Sequence, residues 1–590
     1  MQYSAYLAIY PNNIPITIVT YYLLKLASFL RIPLSEWIKF LQVCNAFAVS
    51  LGIYYGYKLV GKISDWKKSG MFVLLCLINP VVYCYAPWYY TGTMSIPFLM
   101  AGVYYACCFS REKKYRYVIL SGLVFYIGIR IRVTVAIGVI ALLIYWLLCL
   151  IRKGNIDIKS ISKNILITGV FLVLFSIFWG NIEKEHVCFD YQNQAYPAIH
   201  WLMMSSHGEG GYDVDDCKYT ESFATKEEKR KADKERWKQY VSQMTFSDKN
   251  KLALKKMIVT WAVGNDAMQD DLERCETYGR LHEYVSGNNR DIMGLFLQSF
   301  RVLTLFFMFI GAMTIVKNQF VSFSYVNYLV LVGGILFYIF WEASAEYSIG
   351  FFVFMIIGEI DGIEYLERKM LKKEKVVILI PTGIIISQIV VIGYLKFIQN
   401  INVEKYYHYA AVQANYEDEQ VLELQKGDWC KQSFYAEHNF SKVGIKCYNA
   451  NEECKGAAYE VILEKNGVEL ANSVLSGDAL YGKDYWKMIV GDQESGEYDI
   501  VIKNLYSDKE NRVEFCNAGT EYVDMYKKGF LLKNGVQQNY DLTFMVYRTE
   551  DVIIGAEKIE KLLMLNIGIY MVTLALHVVW YRYRRGVLQI

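Results

Sequence analysis

The stretch "GLVFYIGIRIRVTVAIGVIALLIYWLL" (residues 122–148) decides how the chain is organised. It is apolar and longer than the roughly 20 residues that cross a bilayer as a helix, yet it contains Arg130 and Arg132 and no acidic residue. Charged side chains at membrane depth are costly and usually face protein or a water-filled cavity. The stretch therefore predicts two spans, 117–131 and 133–152, that meet beside the two arginines.

Apolar runs of this kind recur along the whole chain. Of its 590 residues, 54% are hydrophobic and 16% are aromatic, which is too apolar for an ordinary soluble protein of this size. The further predicted spans are 36–62, 70–88, 93–110, 164–180, 298–317, 321–342, 347–366, 375–396 and 561–581, and the segment 12–31 either crosses the membrane or lies along its surface. The predicted fold class is a polytopic α-helical membrane protein with 11 or 12 spans.

Lysine and arginine set the predicted orientation. The basic loops 64–70, 111–116, 152–163, 367–375 and 581–586 all fall on one side, which the positive-inside rule makes cytoplasmic. The two long polar stretches then lie outside. This gives five regions, namely an N-terminal membrane region (1–180), an extracytoplasmic loop with surface helices (181–296), a second membrane region (297–396), an extracytoplasmic β-sandwich (397–560) and a final transmembrane helix with a basic tail (561–590).

The first outer stretch contains an acidic, glycine-rich segment, "HGEGGYDVDD" (207–216). Its carboxylates, Asp213, Asp215 and Asp216, either hold a divalent cation through oxygen ligands or form a solvated acidic turn. Further along, Thr225 and Glu228 have the spacing of a helix capping box, which predicts a charged surface helix.

The second outer stretch changes to the period of strands. Apolar and polar residues alternate in 459–475, 497–505 and 540–548, and "KNG" occurs twice as a turn sequence. This pattern predicts an antiparallel sandwich. Four cysteines fall in it, and their number allows two disulfides with three possible connectivities: Cys430, Cys447, Cys454 and Cys516. The sequence has no C-x-x-C motif and no zinc-ligand spacing.

Two interpretations of the paired arginines remain open from the residues alone. In one, the side chains reach the outer interface or pair with Glu342 or Glu346 at the outer end of another span. In the other, they bind an anionic ligand in the outer leaflet, because guanidinium groups bind phosphates in a bidentate manner.

Several segments resemble the GT-C glycosyltransferases, in particular the bacterial protein-mannosyltransferase and aminoarabinose-transferase branch. "YYTGTMSIPFLMAGVYY" (89–105) resembles a "YTDT-x-S-x-P" segment, and "FWEASAEYSIGFF" (340–352) resembles "WE-x-x-x-RY". The other segments that carry the resemblance are "YPNNIPITIVTYYLLKL" (10–26), "IGIRIRVTVAIGVIAL" (127–142), "PAIHWLMMSSHGEGGYDVDD" (197–216) and "GFLLKNGVQQNYDLTFMVY" (529–547). Together they follow the order of the family along nearly the whole chain.

The resemblance implies a reaction at the outer face of a bacterial plasma membrane. A sugar would move from a polyprenyl-phosphate donor to a surface glycan or protein, with Mg²⁺ or Mn²⁺ as a possible cofactor. Arg130 and Arg132 would bind the lipid phosphate, whose charge develops in the transition state. His200 and Trp201 would contact the sugar, unless they are a pair of interface anchors.

The chain departs from the family pattern at the catalytic acid. Gly92 stands where "YTDT" has its aspartate, and Glu346 stands where "RY" has its arginine. The chain also begins where the family's first outer loop should have ended, so the usual acid is expected to be absent. Asp213, Asp215 and Asp216 are then the candidate catalytic residues.

Two other function classes fit the same topology. One is a transporter or flippase for a lipid-linked glycan, which predicts charges spread through several spans. The other is a non-catalytic membrane receptor whose sandwich binds a partner. No P-loop, dinucleotide-binding glycine motif or nucleic-acid-binding patch occurs in the sequence.

Overall fold

A computed structural model gives the fold, and it contains a helical unit and a β-rich unit. The helical unit comprises residues 1–268 and 295–384, and the other unit comprises 269–294 and 385–590. The residues that the structure describes are 5–153, 158–187, 193–264, 282–285, 290–317, 322–370, 404–414, 421–450, 456–480, 484–508, 511–518 and 526–552.

The described helices follow one another with short 3₁₀ turns between some of them. In chain order they are α1 (Ala5–Ile9), α2 (Ile14–Phe29), α3 (Trp37–Ile63), α4 (Trp66–Ile78), α5 (Pro80–Tyr85), α6 (Thr91–Glu112), α7 (Tyr115–Ile131), α8 (Ala136–Lys153), α9 (Ile158–His186), α10 (Ala198–Met204), α11 (Val214–Glu221), α12 (Lys226–Gln243), α13 (Phe246–Met257), α14 (His282–Val285), α15 (Arg290–Lys317), α16 (Tyr325–Phe340) and α17 (Phe352–Met370).

Every predicted span that falls in the described residues is helical over most of its length, which confirms the helical interpretation of those segments. Among the described residues, three helical segments are long and apolar enough to cross a membrane, at Leu34–Ile63, Thr91–Glu112 and Phe296–Met313. Val133–Cys149 and Tyr325–Phe340 are shorter apolar helices. The total of 11 or 12 crossings stays a prediction, and the segments 375–396 and 561–581 lie outside the described residues.

Helix α6 is the most enclosed of the long apolar helices, and small residues let its neighbours approach. A Cβ atom on Gly102 would lie 2.6 Å from the ring of Phe125 on α7. A Cβ atom on Gly52 of α3 would lie 2.5 Å from Ile96 of α6. Close backbone approach at small residues is how helices pack without a hydrophobic driving force between them.

The junction predicted at the arginines is present. Helix α7 ends at Ile131, Arg132 has an extended backbone (φ −149°, ψ 121°), and a 3₁₀ turn at Val133–Val135 leads into α8. The three β-branched residues of that turn have low helix propensity, which suits a break between two helices. The break places the Arg132 side chain at a helix end.

The described residues between 193 and 264 form a group of helices. Thr225 and Glu228 make the predicted capping box at the start of α12. The acidic segment differs from the expected turn, because Asp213 is the N-cap of α11 and Asp215 and Asp216 lie in its first turn. Carboxylates at a helix N-terminus are favoured by the backbone N–H groups there.

The β-rich unit is a sandwich of two antiparallel sheets, as predicted. The strands are β1 (Glu404–Gln413), β2 (Val421–Glu423), β3 (Trp429–Ala436), β4 (Phe440–Asn449), β5 (Ala458–Lys465), β6 (Val468–Ser476), β7 (Asp484–Gln493), β8 (Gly496–Tyr506), β9 (Val513–Ala518), β10 (Leu531–Lys533), β11 (Val536–Gln537), β12 (Asp541–Leu542) and β13 (Phe544–Val552). One sheet has the order β1-β13-β4-β9-β12, with β2 paired to β9 and β7 paired to β4, and the other has the order β11-β10-β3-β8-β5-β6. Phe434 of β3 packs against Phe544 of β13 in the core between the sheets.

Both "KNG" sequences form hairpin turns. Asn466 and Gly467 have positive φ values of 53° and 76° between β5 and β6, and Asn534 and Gly535 have 49° and 83° between β10 and β11. Two consecutive positive φ values define the turn that matches the twist of a two-residue hairpin.

The cysteines do not form the two disulfides that their number allows. Cys430 and Cys447 are free thiols buried in the sandwich core, and four cysteines cannot make two disulfides when two of them are free. Cys454 lies outside the described residues. The core buries these thiols as small apolar side chains.

Candidate functional site

Arg132 lies in an aromatic cradle at the junction of α7 and α8. Its guanidinium carbon is 5.2 Å from the ring centroid of Tyr90 and 5.0 Å from that of Tyr347. It donates hydrogen bonds to the hydroxyls of Thr91 (3.0 Å) and Tyr338 (3.5 Å). Cation–π contacts of this kind stabilise a guanidinium without neutralising it.

Two glutamates accept hydrogen bonds from the tyrosines of this cradle. The hydroxyl of Tyr90 donates to Glu346 (3.1 Å), and that of Tyr347 donates to Glu342 (3.1 Å). Neither forms an ion pair with Arg132, and no other carboxylate of the described residues does. The pairing of the arginines with Glu342 or Glu346, which the sequence left open, is therefore replaced by contacts through tyrosines. As a whole residue, Arg132 is half-buried.

Arg130 has a different environment. Its guanidinium forms an ion pair with Glu183 of α9 at 2.7 Å and lies over the ring of Trp179. The indole N–H of Trp179 donates to the same carboxylate oxygen (2.7 Å). The charge of Arg130 is thus compensated by a carboxylate of the protein. Arg132, two residues further on, has no such ion pair among the described residues.

An aromatic chain links the cradle to Trp201. Tyr338 stacks on Tyr347 with ring centroids 5.3 Å apart, and Phe337 stacks on Trp341 at 5.4 Å. Trp201 of α10 continues the stack over Trp341 at 6.4 Å. Trp201 and Trp341 are both half-buried, and their two indoles form the far end of this series of aromatic contacts.

His200 lies beneath this surface and is fully buried. Its Nδ1 is 2.7 Å from the Thr220 hydroxyl, which donates to Asp233 (2.8 Å). Burial lowers the pKa of His200 to about 4 and raises the pKa of Asp233 to about 6. These pKa shifts have opposite signs, so their effects on stability oppose one another between pH 4 and 6. The predicted sugar contact by His200 stays a prediction. In the structure the His200 side chain joins α10 to α11 through its hydrogen bond with Thr220.

The three aspartates already have partners or fold roles. Asp213 accepts the backbone N–H groups of Asp215 and Asp216. Asp216 is buried and accepts from His207 (2.6 Å), Tyr240 (3.0 Å) and the guanidinium of Arg236 (3.2 Å). Asp215 is exposed in the first turn of α11.

The divalent cation predicted at this cluster stays a prediction. His207, Asp213 and Asp216 place ligand atoms within 4.8 Å of one another. One oxygen of Asp216 lies 3.2 Å from the positively charged guanidinium of Arg236, which would compete with a cation for that carboxylate.

Lys256 of α13 is buried beside the C-terminal end of α10. Its side chain is 1% exposed, and its ammonium group donates to the carbonyl of Ser205 (3.2 Å). Gly210, with φ +75°, covers it so closely that a Cβ atom would lie 2.5 Å from the lysine chain. The carbonyl of Gly210 accepts from the backbone N–H of Ala343 (2.8 Å), next to Glu342.

A known protein family covers the part of the chain that holds this site. A family model described as "Conserved hypothetical integral membrane protein" matches residues 1–362, which is more than half of the chain. The chain belongs to this family. The matched residues contain the Arg132 cradle, Trp201, Lys256 and both glutamates, so the whole site lies in the part that the family defines. Among curated proteins, none shows a significant sequence match.

The buried amine of Lys256 gives this integral membrane protein a pH-dependent stability. Burial lowers the pKa of Lys256 to about 8 from the usual 10.5, with the carboxylate of Glu342 acting in the opposite direction. Between these two values the unfolded chain binds more protons than the folded chain, so stability rises with pH. We expect Lys256 to contribute an increase in the thermal unfolding midpoint of the detergent-purified chain between pH 8 and pH 10.

The variant Lys256→Met should remove this contribution, which a comparison of the two unfolding curves over the same pH range measures. Lys255→Met is the matched control, because Lys255 is the exposed neighbour that pairs with Glu209. An unchanged pH slope in Lys256→Met would show that Lys256 is protonated in the folded chain.

The sequence pointed to Arg132, Trp201 and the two glutamates. It did not point to Tyr90, Tyr347 and Lys256, which lie between or beside them in the structure. Tyr90 and Tyr347 are two of 49 tyrosines, and nothing in their spacing distinguishes them. In the sequence, Lys256 is one of several lysines on an amphipathic helix. The signal that was available is the short distance in sequence between Trp341, Glu342, Glu346 and Tyr347, which places four polar or aromatic groups at one helix end.

Proposed function

We propose that the chain is a membrane transferase that binds a polyprenyl-phosphate sugar at the Arg132 cradle and transfers the sugar to a surface glycan or protein. One observation carries the proposal. The Arg132 guanidinium contacts two tyrosine rings, makes hydrogen bonds only to hydroxyls among the described residues, and forms no ion pair with any of them. A cation whose charge is not neutralised in this way suits a phosphate group.

The neighbouring groups supply the remaining parts of a transfer reaction. The bond between the sugar's anomeric carbon and the phosphate oxygen breaks, and a bond to the acceptor oxygen forms. Negative charge develops on the leaving phosphate, and a cation held in place beforehand lowers that barrier. Glu346, half-buried and held by Tyr90, is the carboxylate best placed to accept the proton of the acceptor hydroxyl.

The indole surface of Trp201 and Trp341 suits the sugar. Aromatic rings present a flat apolar face with large contact area, and this one lies at the end of the stack that begins at the cradle. In this proposal Glu346 is the proton acceptor, while Asp213, Asp215 and Asp216 stabilise α11. The outer location of the face follows from the charge pattern of the loops and is part of the proposal.

The test is binding and turnover with the purified chain in detergent. A fluorescent polyprenyl-phosphate sugar is titrated, and release of free sugar or its transfer to an added glycan is then followed with and without Mg²⁺ or Mn²⁺. We expect saturable binding and turnover that persists in a chelator. Absence of binding would overturn the proposal, and binding without transfer would favour a transporter or receptor for the same lipid.

A further inference from the structure

A second polar cluster lies inside the helical unit, and its Ser348 directly follows Tyr347 of the Arg132 cradle in the chain. It is formed by side chains of α15, α17 and the 3₁₀ turn at Ala345–Phe351. Arg301, Thr304, Ser348 and Glu359 are all buried. Buried ionisable residues within apolar helices are costly, and they usually mark an ion or proton site.

Glu359 is the member whose charge is not compensated. It is 4% exposed and accepts a hydrogen bond from Thr304 (2.9 Å), and no described residue forms an ion pair with it. Its neighbours along α17 are apolar and buried, among them Ile356 and Ile360. A carboxylate without a counterion in such a place is unfavourable, whereas the neutral acid is tolerated.

The other charged groups around Glu359 have partners of their own. The titratable and charged side chains on α17 and on the elements packed against it include Lys62 on α3, Lys68 and Cys76 on α4, Arg301 on α15, Tyr328 on α16, Glu346 and Tyr347 on the 3₁₀ turn, and Asp361 and Glu364 on α17. Lys62 pairs with Glu112, and Lys68 with Glu364. Tyr328 donates to Asp361, and Arg301 donates to Ser348 and Met355.

A small cavity adjoins this cluster. Its volume is about 20 Å³, and Arg301 and Thr304 line it together with Asn79 and Gly264. That volume holds about one water molecule, and the lining offers the polar partners that a buried water needs. Thr304 therefore stands between the cavity and the carboxyl group of Glu359.

We infer that Glu359 is a proton-binding site within the membrane region, connected through the Thr304 hydroxyl to a water in the cavity beside Arg301. Its ligand is a proton, delivered through the water and the hydroxyl. The site does not depend on the proposed transfer reaction, because Glu359 touches none of the cradle groups in the described contacts. Glycosyl transfer and proton binding are therefore tested by separate measurements.

The test is infrared difference spectroscopy of the full chain in lipid nanodiscs, recorded between acid and alkaline pH. A protonated carboxylic acid has a carbonyl stretch that is separate from the amide bands and from carboxylates, and it shifts in D₂O. We expect such a band in the wild type that disappears at high pH and is missing from Glu359→Gln. Glu364→Gln is the matched control, since Glu364 is on the same helix but is paired with Lys68, and it should keep the band.

Thr304→Val keeps the carboxyl group of Glu359 and removes the hydrogen bond that it accepts. This variant tests the inference even if Glu359→Gln does not fold. We expect its band to shift in frequency and its titration midpoint to move. Identical spectra for wild type and Thr304→Val, or a band that survives in folded Glu359→Gln, would overturn the inference. Neither result bears on donor binding at Arg132, which is measured with the labelled lipid.

Discussion

Arg132→Ala should weaken binding of a polyprenyl phosphate by about 100-fold, because charge-assisted hydrogen bonds are worth about 1.5 to 3 kcal/mol each. The guanidinium is held by the rings of Tyr90 and Tyr347, and its removal leaves only hydroxyls that water can satisfy. The fold should therefore survive. The measurement is the dissociation constant for a fluorescent polyprenyl phosphate, with the thermal unfolding midpoint as a check that the variant is folded.

Arg130→Ala is the matched control for this prediction. Arg130 is two residues away but pairs with Glu183, so its loss should change the affinity by less than about 3-fold, as expected for a partly exposed ion pair remote from the ligand. Equal losses in both variants would restore the sequence-based prediction that the two arginines act together. An unchanged affinity in Arg132→Ala would remove the cradle from the proposed site.

The fold was largely predictable because its signals are local. Spans such as 36–62 and 93–110 are long, mainly apolar runs, and their helices begin and end within a few residues of the predicted bounds. The two "KNG" turns and the strands beside them follow from the period of two and from residues that tolerate positive φ. Thr225 and Glu228 were recognisable because a capping box needs only a fixed spacing.

The site was less predictable because its contacts join distant parts of the chain. Arg130 and Arg132 look equivalent in sequence, but one side chain finds Glu183 and the other finds Thr91 and Tyr338, which are 41 and 206 positions away. The spacing of Asp213 and Asp216 fits an acidic turn and a helix start equally well. Only packing decided that Arg236 would be the partner of Asp216.

Glu346→Gln should lower the turnover of the proposed transfer about 1000-fold while leaving donor affinity nearly unchanged, since general-base catalysis contributes about 10² to 10⁴. Glutamine retains the shape of the side chain and still accepts the hydrogen bond of Tyr90, but it cannot take the acceptor proton. In the proposed site the donor phosphate contacts Arg132 and not Glu346, so binding and turnover should separate. Single-turnover transfer from the labelled donor measures the rate, and a titration of the same donor measures the affinity.

Glu209→Gln provides the comparison for this last prediction. Glu209 is an exposed carboxylate in the segment that covers Lys256, and it pairs with Lys255, so its replacement should leave turnover within about 2-fold, as for most surface changes. A large loss in both variants would point to the overall charge of the face. Full turnover in Glu346→Gln would show that another group accepts the proton. Glu342 would be the next candidate, because its buried carboxylate accepts from Tyr347 on the other side of the same guanidinium.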